Sequence, residues 1–172
     1  MNQRLERVEQ CHPVIQQSVL SLVKRCEQEL GRHLLIVHGY RSSQAQQLLY
    51  QKGREFDRET ATWMVVDALS VVTNALPGLS AHNVVTREGR PASMAVDVIP
   101  LNTDGSADWD VAMEFWTALF EIAWKVGLDP LGDTTGAYLK GDLGHYEEPG
   151  WKLKIDGLRC IQPVSLTQSH EV

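Results

Sequence analysis

The chain has 172 residues and a mass of 19.3 kDa, enough for one hydrophobic core and short for two, with an ordinary globular balance of 43% apolar and 22% charged residues. Its formal net charge of -6, with no Lys/Arg cluster, excludes the electrostatic footprint of a nucleic-acid binder that tracks phosphates. No apolar stretch approaches the roughly 20 residues that span a bilayer, which excludes membrane insertion. The start, Met1 to Arg7, lacks the apolar core of a signal peptide, so cytoplasmic synthesis is expected. Cys11, Cys26 and Cys160 form no CxxC pair and read as reduced structural thiols. The expected organisation is one monomeric domain over 1–159 and a polar tail over 160–172.

In chain order, apolar residues Val14, Ile15, Val19, Leu22, Val23, Cys26 and Leu30 fall at helical spacing between Pro13 and Leu30, and Gly31 supplies a stop. A β-prone run, 33–38, precedes the turn Gly39-Tyr40-Arg41-Ser42-Ser43, whose serines can cap a helix through Gln46, Leu49 and Tyr50. Arg41 then sits at a strand-to-helix junction. The spacing of Trp63, Val66 and Leu69 predicts a further helix over 58–69, followed by a β-prone 71–73 and a turn at Pro77-Gly78. Strands at 83–86 and 92–99, joined by Arg87-Glu88-Gly89-Arg90, read as a hairpin that carries His82 at one end and returns Asp97 to it. Asp108 is the expected N-cap of a helix over 109–126 that Gly127 ends. The stretch 128–158 is irregular, with short strands around 145–147 and 151–153.

Ser80-Ala81-His82-Asn83, Asp97 and Asp142-Leu143-Gly144-His145 supply two histidines and an aspartate, a ligand set that leaves one tetrahedral position of a zinc ion open, plus a second aspartate placed as a base. Six histidines and many aspartates produce such spacings by chance, so the pattern alone is weak. Its neighbours strengthen it. Gly39-Tyr40-Arg41-Ser42, Gln46, Leu49, Tyr50, Gly53-Arg54, Val72 to Ala75, Pro77 to Asn83, Ala95-Val96-Asp97 and Asp142 to His145 resemble, in order, the motifs of the zinc D-Ala-D-Ala carboxypeptidase and L-alanyl-D-glutamate endopeptidase family.

That resemblance implies an α+β fold of the hedgehog/DD-peptidase type, a small antiparallel sheet flanked by helices. It implies zinc held by His82, Asp97 and His145, with Asp142 as catalytic acid/base. Arg41 would face the substrate carboxylate or the charge developing on the attacked carbonyl, Ser80 would position substrate or support the ligands, and Gln46 would help bind substrate. The implied partner is a peptidoglycan stem peptide. The first functional reading is an L-alanyl-D-glutamate endopeptidase of the phage endolysin type, reaching the periplasmic wall by holin-type release. The alternatives are a D-Ala-D-Ala carboxypeptidase or dipeptidase, and a non-catalytic relative that binds wall peptide or protein.

The chain departs from the family pattern SxHxxGxAxD, because His82 and Asp97 lie 15 residues apart. The ligand set therefore requires that the extra residues leave and return as a hairpin. Glu147 and Glu148 lie close to His145 and read as solvated charge, with support of the ligands from outside as the alternative, and no metal role is expected for His12, His33, His38 or His170. The five tryptophans read as core and rim.

Overall fold

Hydrophobic periodicity decides the first helix. The structure, a computed structural model in which residues 3–130, 142–154 and 159–160 are described, places α1 at Pro13–Leu30 with Ile15, Val19, Leu22 and Cys26 buried along one stripe. Gly31 ends it in the left-handed region at φ 66°. The chain then runs through β1 (Leu34–His38), α2 (Ser43–Gln51), β2 (Arg54–Asp57), β3 (Thr62–Val65), β4 (Val84–Val85), β5 (Ala95–Pro100), α3 (Met113–Lys125), β6 (Asp129–Pro130), β7 (His145–Glu147) and β8 (Arg159–Cys160). Ser42 caps α2 by accepting a hydrogen bond from the Ala45 amide at 3.2 Å.

The main sheet has the order β1-β5-β7-β6 with every pairing antiparallel. Side chains alternate across a strand, so one face carries Leu34, Ile36, Val96, Val98 and Tyr146 into a core with α1 and α3, where Trp116, Leu119 and Phe120 meet them. Asp97, His145 and Glu147 are thereby assigned to the opposite face. A smaller apolar cluster of Ala81, Val84, Ala92, Met94, Ala95 and Trp151 supports that side. This is the expected α+β architecture with an antiparallel sheet flanked by helices. Among the described residues no helix is long and apolar enough to cross a membrane.

Several expected elements take another form. The segment 58–69 is not a helix: β2 and β3 pair as an antiparallel hairpin, and only Ala68–Ser70 makes a short 3-10 turn. A helix there would have needed a core to pack against, yet Val66 and Leu69 are exposed. Thr60, Thr62, Trp63 and Val65 favour a pleated surface instead, and Asp57 ties the turn by accepting from the Glu59 amide and the Thr60 hydroxyl. The run 71–73 forms no ladder, and 151–153 is a 3-10 turn rather than a strand. The last long helix starts at Met113, not 109, because Asp108 is drawn into an ion pair with Arg32 through Oδ2 and its Oδ1 accepts from the Asp110 amide. Of the tryptophans on or near it, Trp116 is buried, whereas Trp109 and Trp124 are exposed. Sequence periodicity also left out β6 and the 3-10 helix Gln3–Gln10. Cys11 and Cys26 are free thiols, and burial pushes both up to about 12, well outside the reactive range.

Candidate metal centre

Register places the first side chains. Leu34 to Ile36 pair in order with Pro100 to Val98, but the next partner of Asp97 is His38, leaving Val37 as the extra residue of a β-bulge. On the other side Asp97 pairs with His145. His38, Asp97 and His145 therefore occupy one row across three strands. The bulge is pinned from outside by Arg7, whose Nη1 donates to the carbonyls of Ile36 and Val37, and by Gln10, whose Oε1 accepts from the Tyr40 amide at 3.2 Å. Gly39 lies so close beneath this segment that a β-carbon there would stand 2.6 Å from the Arg7 carbonyl.

His82 arrives from a different part of the chain. It sits in a 3-10 turn, Ala81–Asn83, in which the Ser80 hydroxyl accepts from the His82 amide and Asn83 completes the capping box. Asn83 also accepts from the Gly78 amide and donates to the Arg41 carbonyl at 2.7 Å, while the Arg41 amide donates to the His82 carbonyl at 2.9 Å. The extra residues after His82 do fold back. The Thr86–Arg90 turn, with Gly89 at φ 80°, is closed by bonds from Ala92 to the Val84 carbonyl and from Met94 to the Ala81 carbonyl. Its strands differ from expectation: only Val84–Val85 forms a strand on the outgoing side, paired with β8, and the returning chain joins the main sheet from Ala95.

The result is a tight triangle of donor atoms. His82 Nε2 and His145 Nδ1 each lie 3.0 Å from Asp97 Oδ1 and 3.2 Å from one another. Bonds of about 2.0 Å at tetrahedral angles require donors about 3.3 Å apart, so one ion of zinc's size fits above this triangle. The chemistry agrees with the dimensions. His82 Nδ1 is 2.7 Å from the Gly39 carbonyl, an acceptor only, so the hydrogen of a neutral ring is on Nδ1 and the Nε2 lone pair points at Asp97 and His145. Lone pairs converging on a carboxylate in a buried site need a cation between them. These three residues are the group among the described residues that could hold a metal ion.

Protons can partly play that part. Burial opposes a charged His145, but hydrogen bonds to Asp97 and Glu147 and the charges of Asp97 and Asp142 outweigh it and raise the imidazole to about 10. Burial likewise opposes ionisation of Asp97, yet His82, together with hydrogen bonds from His145, His38 and His82, holds its carboxyl well below the usual range.

The other expected site residues are gathered here in distinct roles. Arg41 Nη2 donates to Asp97 Oδ2 at 2.8 Å and Nη1 to Gln46 Oε1 at 2.9 Å, while its buried Nε–H has no partner among the described residues. Gln46 has no exposed surface; it anchors on the Ala75 carbonyl at 2.8 Å and holds Arg41 from behind. Ser80 is buried and spends its hydroxyl on the turn that carries His82. Asp142 is half-buried beside the centre, where burial raises its carboxyl, the charge of His145 opposes the rise and that of Asp97 adds to it.

Gly144 explains how Asp142 and His145 share one turn. Its carbonyl accepts from the Val98 amide at 2.8 Å, and a β-carbon at Gly144 would meet the Val98 carbonyl at 2.4 Å. Gly144→Ala is expected to cost about 1–3 kcal/mol, read as a lower denaturant midpoint at unchanged m-value.

Sequence reasoning missed two contributors and ranked a third too low. His38 Nδ1 lies 3.2 Å from Asp97 Oδ2, brought there by a bulge that apolar alternation does not encode. Asn83 ties Arg41 to the His82 turn through a side-chain bond that no spacing reveals. Glu147, expected as solvated charge, lies with Oε2 3.3 Å from His145 Nε2. Its signal was present, since residues i and i+2 of a strand share a face.

No family model matches the chain, and no curated protein matches it. Solved structures do. One is the vancomycin-resistance D,D-pentapeptidase VanY from a VanB-type cassette, a mutant in complex with Zn(II), at 20% identity and TM-score 0.54, covering 84% of this chain and 77% of that one. Another is VanYB in complex with D-alanine-D-alanine, at 18% identity and TM-score 0.52, covering 82% and 72%. The chain has the fold of these proteins.

Proposed function

We propose that this chain, built on the VanY fold, is a zinc-dependent peptidase that hydrolyses a peptide bond of the peptidoglycan stem. The observation that carries the reading is the donor triangle of His82, Asp97 and His145 with Asp142 beside it. A metal bound there supplies Lewis acidity, which lowers the pKa of water to about 7 and polarises an amide carbonyl. The protein's own residues do the rest. Asp142, whose carboxyl burial raises above its ordinary range, takes the proton of the attacking water and returns it to the leaving amine. Arg41 and His38 hold Asp97 Oδ2, which keeps Oδ1 aimed into the triangle, and Ser80 and Gln46 support that arrangement from behind. Contact of Ser80 or Gln46, both buried, with substrate would follow only from a rearrangement on binding.

An internal bond, as in L-alanyl-D-glutamate endopeptidases of the endolysin type, is the specificity we favour. The charge of Arg41 is already paired with the Asp97 carboxylate, so a free terminal carboxylate clamped there would have to share it, whereas an internal bond makes no such demand. The D-Ala-D-Ala carboxypeptidase reading rests on the D-alanine-D-alanine complex of VanYB. Both place the activity at the cell wall, reached in the endolysin case by release from the cytoplasm. The test is zinc content of the purified protein together with mass spectrometry of products from purified peptidoglycan, with and without chelator. New L-Ala carboxyl ends support the endopeptidase, loss of terminal D-Ala the carboxypeptidase. A metal-free protein that leaves the wall intact rejects the enzyme and leaves a wall-peptide-binding relative.

Metal and proton compete for the same atoms. Because His145 is raised from 6.5 to about 10, the folded metal-free chain holds a proton that the unfolded chain releases between those values. Its stability is therefore fully supported below about pH 6.5 and declines as pH rises toward about 10. Zinc added to the metal-free protein at pH 7 is expected to release protons, measured with an indicator dye in weak buffer.

A further inference from the structure

Glu147 carries an unusual burden for an acidic residue. Its side chain is 20% exposed, β7 register sets it opposite Asp129 on one side and Ala95 on the other, and among the described residues it forms no ion pair with a lysine or arginine. Glu148, the next residue, is by contrast paired with Lys154 at 2.5 Å. What Glu147 does face is the outer nitrogen of a ligand, His145 Nε2 at 3.3 Å.

We propose that Glu147 is a positioning residue of the metal centre, a carboxylate that fixes His145 with its hydrogen on Nε2 and so leaves the Nδ1 lone pair for the ion. The inference rests on the zinc reading above and deepens it. A carboxylate can only accept, and the metal-binding ring is neutral with a single hydrogen, so that hydrogen stays on the nitrogen facing Glu147 rather than on the one facing the ion. The hydrogen then cannot sit on Nδ1, the atom 3.0 Å from Asp97 Oδ1 and 3.2 Å from His82 Nε2. Geometry enforces the same choice, because residues i and i+2 of β7 point the same way and Ala95, opposite Glu147, is small. The two histidines are thus oriented by different devices: His82 by the Gly39 carbonyl, a fixed backbone dipole, and His145 by a full negative charge that also raises its basicity as a ligand. His82 can lose its partner only if the backbone moves, whereas His145 depends on one side chain.

The test compares zinc affinity of the wild type, Glu147→Ala and Glu147→Gln by competition with a chromophoric chelator, alongside 15N NMR of the histidine rings in the zinc-loaded wild type. Alanine is expected to weaken zinc binding by about 10–100-fold, and glutamine, whose side-chain oxygen still accepts from Nε2–H, to recover most of that loss. The NMR spectrum is expected to show the His145 hydrogen on Nε2. Wild-type zinc affinity in the alanine variant, a glutamine variant as weak as alanine, or a His145 hydrogen on Nδ1 would each overturn the proposal. A wild-type protein that takes up no zinc rejects the metal reading itself, and this proposal with it. If the alanine variant does not fold, the glutamine variant and the wild-type spectrum still decide.

Discussion

Turnover of peptidoglycan by an Asp142→Asn variant is expected to fall about 10²–10⁴-fold while one zinc per chain is retained. The substitution keeps size and removes the proton acceptor. Asp142 is not one of the three converging donors, and the turn around it is set by the Gly144–Val98 contact, which an asparagine does not touch. The metal should therefore stay while chemistry stops. Zinc content by atomic absorption and product release by mass spectrometry separate the two effects. Loss of zinc in the variant would show Asp142 to be a ligand, and unchanged turnover would remove it from catalysis.

His82→Ala is expected to do the reverse and lose the metal first. His82 is 1% exposed and supplies one corner of the triangle. Its removal should weaken zinc binding beyond the roughly 10–100-fold that the loss of an outer partner costs, with activity falling to background. It also leaves the Gly39 carbonyl without its partner, a buried loss of about 1–3 kcal/mol that denaturant unfolding would report. A variant that retained zinc and activity would mean that the metal sits elsewhere or that none is used.

How much of this was legible in the sequence depends on which force set each element. Where a single core decided the outcome, reading was direct: α1 follows its apolar stripe, and Gly31 stops it. The candidate ligands His82, Asp97 and His145 were legible through flanking motifs, and the structure brings their donor atoms together. The 58–69 segment was misread because Trp63, Val66 and Leu69 match a helical period by accident, while no core lies beside them and β2 pairs with β3 instead. The supports of the centre were the least legible. Arg41 was expected to meet substrate, and its distance from Asp97 in the chain, 56 residues, hid the ion pair that it also makes. His38 depended on a bulge and Asn83 on a capping box that reaches across to Arg41.

The excursion after His82 has a consequence for how such centres vary. Its base is closed by backbone bonds at Val84–Ala92 and Ala81–Met94, so the two donor residues on either side are fixed before the tip is reached. The tip, Arg87 to Arg90, is exposed and carries no bond to any ligand among the described residues. Lengthening a loop costs only about 0.6 kcal/mol per doubling, so residues can be added or removed there without moving the donor atoms. The turn is thus a natural place to graft a reporter peptide or a wall-binding segment. It also means that the count of residues between a histidine and an aspartate is a poor criterion for membership in a metal site, since chain length at the tip and distance at the base are independent quantities.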